Sequence, residues 1–130
     1  MSFILEIVAM LACVVGAGMG LYAMVNPGWG AKLVRLQPAE GTAGGFAEFR
    51  ATYGGLFAFS HLGALLGVLA TGPSFSAIFC FPLAAGWVGA GVGRLMSIAF
   101  DGTGTKFNTA SVIFEFAMGI ALFLPLIVLF

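Results

Sequence analysis

The sequence predicts an all-α integral membrane protein, a four-helix up-down bundle with a short interfacial helix between the first two spans. Three observations carry this. Of its 130 residues, 61% are hydrophobic and only 8% are charged, whereas a soluble domain carries about 25% charged residues. The apolar residues gather into four runs, at about 3–25, 46–71, 75–100 and 108–130, each long enough to cross ~30 Å of hydrocarbon. The breaks between the runs hold Asn, Gly and Pro, which stop helices. One transmembrane domain over 1–130 is expected. A net charge of zero leaves no basic footprint for nucleic acid.

The first run, Phe3 to Val25, holds one charge, Glu6, close to its start. At ~1.5 Å per residue it is ~34 Å long and spans with some tilt. No basic residue precedes it, and it is too long for the core of a cleavable signal peptide, so it is expected to be a membrane helix. Gly16 and Gly20 form a Gly-x-x-x-Gly, which lets another helix approach closely. Tyr22 falls at the interface, and Asn26-Pro27-Gly28 ends the run.

Residues 26–45 make the longest polar connection. Trp29, Leu33 and Leu36 fall at i, i+4 and i+7, with Lys32 and Arg35 between them, which predicts a short helix lying flat at the membrane surface. Pro38, Gly41, Gly44 and Gly45 end it in a loop.

The second run begins Phe46-Ala-Glu48-Phe-Arg50-Ala-Thr-Tyr53-Gly54-Gly55. Arg50, Gly54, Phe57 and His61 are spaced to share one helical stripe, and Gly63 and Gly67 form a second Gly-x-x-x-Gly. Thr71-Gly72-Pro73-Ser74 reads as a tight turn. In the third run Pro82 is expected to kink the helix or to mark a late start. Gly89-Ala-Gly-Val-Gly93 lacks the spacing and strand–helix context of a nucleotide fingerprint and reads as close helix packing. Residues 101–108 form a polar hairpin loop. The fourth run carries Glu115 as its only charge.

A charge inside an apolar span costs roughly 2.5–3.5 kcal/mol on insertion scales, so it persists where it finds partners. Arg94 lies seven residues before Asp101, and Glu115 seven residues after Asn108. In an antiparallel hairpin these positions share a depth, roughly 10 Å inside the helix ends. Arg50 enters its span from the same side. Glu48, Arg50, Arg94 and Glu115 are therefore expected to form one neutral network, extended by Tyr53, Ser97 and Asp101. Such a network fixes helix rotation and register; binding or proton relay is the functional alternative.

His61 falls near mid-membrane. A neutral imidazole bonded to a neighbouring helix is expected, and an axial ligand to haem or a chlorophyll-type pigment is the alternative. One imidazole does not make a zinc site, and no metal site is expected. No Ser/His/Asp set, HExxH or P-loop signature is present. Cys13 and Cys80 form no Cys-x-x-Cys motif and read as small buried hydrophobes. Lys32, Arg35 and Lys106 all sit in the two longer loops. The positive-inside bias puts those loops in the cytoplasm and both termini outside.

Asn26-Pro27, Glu48-Phe-Arg50-Ala-Thr-Tyr53-Gly54-Gly55, Arg94-Leu-Met-Ser97 with Asp101-Gly102, and Glu115 resemble a family of small four-helix bacterial membrane proteins of unknown function. That family is itself similar to DoxX-like membrane proteins. The resemblance covers about residues 5–125. It implies a four-helix fold in a bacterial inner membrane, with Glu48, Arg50, Arg94, Asp101 and Glu115 belonging together, and it implies no substrate. On composition, the expected role is a non-enzymatic accessory or scaffold subunit, in contact with the lipid bilayer and with other membrane subunits. A small transporter or ligand-binding membrane protein using the charged cluster is the second reading. A DoxX-like redox partner of quinones or thiols is the third.

Overall fold

The structure, a computed structural model, describes residues 2–38, 44–71 and 73–129. The Gly41 loop stop, the Gly72 turn and the end of the last run at Phe130 lie outside the described residues. The fold is all-α: α1 (Ser2–Val25), α2 (Pro27–Val34), α3 (Gly45–Thr71), α4 (Pro73–Asp101) and α5 (Lys106–Phe123), the last continued by a 3-10 turn over Leu124–Leu129. The four long helices are each long and apolar enough to cross a membrane.

The distribution of side-chain size says what surrounds them. The buried apolar residues are mostly Ala and Cys, such as Ala9, Cys13, Ala17, Ala58, Cys80 and Ala84. The large apolar side chains point outwards, with Phe3, Leu56, Phe59 and Phe100 all well exposed. A water-soluble globule would have the reverse arrangement. Large groups outside and small groups between helices are what hydrocarbon solvent selects.

The chain forms two compact units, one of residues up to Ala12 together with those from Leu66 on, the other of Cys13–Leu65. In the second unit α1 and α3 run antiparallel. Three close approaches fix them: Gly20 against the Ala58 backbone, Gly16 against the His61 ring, and Gly54 against the Met24 backbone. A Cβ at Gly20 would overlap Ala58 main-chain atoms, which have nowhere to move. The expected Gly16/Gly20 contact is therefore made. The second Gly-x-x-x-Gly is divided: in the first unit Gly67 seats the Phe79 ring, while Gly63 meets open space.

Short elements follow local chemistry. The Asn26 side chain accepts from the Trp29 amide at 3.1 Å and caps α2, with Pro27 in the first turn. Arg35 closes α2 in the left-handed region at φ 57°, and the Leu36 amide bonds back to Ala31 at 3.0 Å. The helix thus stops at Val34, and Leu36 lies beyond it rather than on its apolar face. The Thr105 hydroxyl accepts from the Asn108 amide at 3.2 Å, which starts α5 at Lys106 instead of Asn108. Gly102, at φ 68°, ends α4 where a Cβ would be strained. The helix runs unbroken through Pro82 and starts at Pro73, so Pro82 marks no late start.

Within α3, Phe49–Leu56 is π-helical, with i→i+5 bonding. This changes the expected stripe. In an α-helix Arg50 would stack over Gly54; here Phe49 holds that level, and Phe49 and Gly54 are the buried residues of the segment. Arg50 is exposed while His61 is buried. The Phe49 ring stacks on Tyr53 at 5.4 Å.

The two kinds of glycine predict opposite outcomes. Gly20→Ala should destabilise the detergent-solubilised protein by about 1–3 kcal/mol through overpacking. Gly63→Ala should be neutral or stabilising by up to about 1 kcal/mol. Thermal unfolding of the two variants checks this, and equal effects would mean that α1 and α3 do not meet at Gly20.

Candidate functional site

The α4–α5 hairpin carries the densest polar cluster among the described residues. Arg94, on α4, presents its guanidinium edge to Glu115 on α5. Nη2 donates to Oε1 at 2.6 Å, and Nε reaches Oε1 and Oε2 at 3.0 and 3.1 Å. Both carboxylate oxygens are thus engaged by one planar donor set, the strongest pairing available to these groups. The remaining nitrogen, Nη1, donates to Asn108 Oδ1 at 3.3 Å. Asn108 Nδ2 in turn donates to the Thr103 carbonyl at 2.7 Å. The Thr103 and Ser97 hydroxyls share a bond of 3.0 Å. The Glu115 side chain is 8% exposed and the Arg94 side chain 32%. The acid is enclosed and the base lies partly at the protein's edge.

The hairpin is built for this meeting. Val88 and the Ala84 carbonyl lie against Gly119, Phe116 lies against Gly91, and the Trp87 and Phe114 rings meet edge-on at 5.5 Å. The small residues bring the two axes close enough for one Arg and one Glu to bridge them without solvent. Chemically, the cluster ties the loop to both helices and fixes the rotation of each.

Asp101, the last residue of α4, is exposed. Glu48, Arg50 and Tyr53 belong to the second unit and are exposed there. Within the second unit neither the Glu48 nor the Arg50 side chain makes a hydrogen bond or ion pair to another described residue. His61 is 1% exposed. Its Nδ1 donates to the Phe57 carbonyl of its own helix at 2.7 Å. A Cβ on Gly16 would overlap Cδ2 and Nε2, so the Nε2 edge rests on α1 itself. A macrocycle coordinated there would need the volume that α1 fills. No group of three or more His, Cys, Asp or Glu among the described residues is placed to hold a metal ion.

A second buried polar pair escaped the sequence reading. Ser76 donates to Glu6 Oε1 at 2.8 Å, and both are buried. Glu6 had looked like a terminal charge. Its position a few residues into α1 matches that of Ser76 in α4, and this shared depth was the available signal. Asn108 and Thr103 had been read as loop residues, yet they complete the Arg94 cluster.

A family model described as a domain of unknown function, DUF4345, matches residues 4–126. The chain belongs to the DUF4345 family. No curated protein and no solved structure matches it. The DUF4345 match contains both polar pairs, Glu6 with Ser76 and Arg94 with Glu115, as well as the π-helical segment of α3.

Removing one member of the Arg94–Glu115 pair should cost about 3–5 kcal/mol, because it strands an enclosed charge or its donor. Replacing Arg94 with Met and Glu115 with Leu together should cost much less. Thermal unfolding of both single variants and the double variant closes the cycle, and additive losses would show that the two side chains are not coupled.

Proposed function

We propose that this protein is a non-enzymatic accessory subunit that docks within the bilayer onto a larger membrane assembly. The supporting observation is the outer face of α4. Gly86, Gly89 and Gly93 are exposed, and a Cβ at any of them would meet nothing within 4 Å. These glycines do no packing inside the chain, unlike Gly91 on the same helix, which lies against Phe116. Each glycine in a helix costs about 1 kcal/mol relative to Ala, and lipid gains nothing from that cost. A partner helix does, because small residues let backbones approach. The reading places the chain in a bacterial inner membrane, as the resemblance to small bacterial membrane proteins implies. The loops with Lys32, Arg35 and Lys106 face the cytoplasm and both termini face outside.

The exposed Glu48 and Arg50 favour a second reading, a small transporter or ligand-binding membrane protein. In it these two groups supply the polar contacts while Arg94 and Glu115 hold the frame. A DoxX-like redox role would need a thiol pair, and the sequence has no Cys-x-x-Cys.

Gly89→Ile with Gly93→Ile should leave folding intact, since both positions are open, and should release the chain from its assembly. On native electrophoresis of solubilised source membranes, the wild type should migrate in a large species and the variant at its own size. Comigration of variant and wild type would sink the docking face. A wild type that already migrates alone would sink the accessory role.

The orientation has its own check. A reporter fused after Phe130 should be active only if it works outside the cytoplasm. Activity of a cytoplasm-only reporter there would reverse the topology.

A further inference from the structure

We propose that the start of α3 is the contact of a homodimer, in which Glu48 and Arg50 of one copy pair with Arg50 and Glu48 of the other. Both residues lie in the first two turns of a candidate span, Gly45–Thr71, and both are exposed. Within the second unit neither side chain makes a hydrogen bond or ion pair to another described residue. A charge in an apolar span is costly and persists where it finds a partner. Lipid phosphates would serve Arg50 alone, since they repel the Glu48 carboxylate. A partner for both must bring a cation and an anion to one depth. A second copy of this chain, inserted in the same orientation, does so.

Helix phase sets the symmetry of the contact. Successive residues lie about 100° apart around an α-helix and somewhat less in a π-helix. Phe49 is buried, so Glu48 and Arg50 fall on its two flanks. Ala47 and Ala51 hold the side opposite Phe49, between the two charges, and both are exposed. When a second copy is turned by 180° about an axis along the membrane normal, in front of these alanines, Glu48 of each copy stands beside Arg50 of the other. Both pairs form at once, as a two-fold contact requires. Two residues of helix separate the paired levels by about 3 Å, within reach of an Arg fork on a carboxylate. Alanine at the centre lets the two helices approach. The π winding keeps Phe49 inside and leaves one charge on each flank. This contact is separate from the glycine face of α4 and does not depend on the docking reading.

The test uses the purified full chain in neutral detergent, where no other subunit is present, and reads mass by native mass spectrometry. The wild type should be a dimer. Glu48→Arg and Arg50→Glu, each alone, should be monomers, because each reversal sets like charges together on both flanks. Their thermal unfolding as monomers should show a folded chain, since both side chains are exposed. Combining the two reversals in one chain should restore the dimer. Mixing the two single variants should restore it as a heterodimer with one copy of each. Gly89→Ile with Gly93→Ile should leave the dimer intact, which keeps a failure of the docking reading distinct from a failure of this one. A monomeric wild type, single variants that stay dimeric, or a mixture that stays monomeric would overturn the pairing. Loss of the dimer in the glycine variant would overturn it as well, by moving the contact to α4.

Discussion

The structure depends on one constraint: its solvent is as apolar as its own side chains. Burying Leu or Phe between helices gains little when lipid offers the same surroundings, so helix contact must come from close fit and from polar groups that lipid cannot satisfy. Both devices are visible. α1 and α3 meet where Gly16, Gly20 and Gly54 remove side chains from the contact, and α4 and α5 meet at Gly91 and Gly119. The large side chains left over go outside, where they solvate the protein in the bilayer.

The polar device is concentrated on α4. Ser76 near its start holds Glu6 of α1, and Arg94 near its end holds Glu115 of α5. The two residues are eighteen positions apart in sequence, or about 27 Å along the axis. That distance is close to the hydrocarbon thickness. α4 is thus fixed near both membrane faces, to a different neighbour at each. Between these anchor points it is free to present glycine outward, since its rotation and depth are already set.

Much of this was legible. Four apolar runs gave four long helices, because composition alone decides what can sit in hydrocarbon. Counting back from the hairpin loop brings Arg94 to the level of Glu115. What the sequence withheld was local. Thr105 caps α5 ahead of the first residue that hydropathy would include, so Asn108 turned from a loop residue into a buried partner of Arg94. Ser76 is one of two serines in its apolar run, and such residues commonly bond to their own helix, so nothing local pointed to Glu6. The π segment was invisible for a deeper reason. Spacing arguments assume 3.6 residues per turn, and Phe49–Leu56 carries no residue whose chemistry announces another period.

That segment has a consequence for how sequence maps to surface. A π stretch is an α-helix holding a surplus residue. Removing one residue between Arg50 and Gly54 would relax the winding and leave Phe49 one α-turn above Gly54, with every face preserved. Keeping all the residues and rewinding them as α would exchange Phe49 for Arg50 at the buried position. Phe49 is apolar and 6% exposed, and Arg50 is charged and exposed. The surplus residue is thus a phase setting. It decides which of two adjacent side chains the protein keeps inside and which it shows.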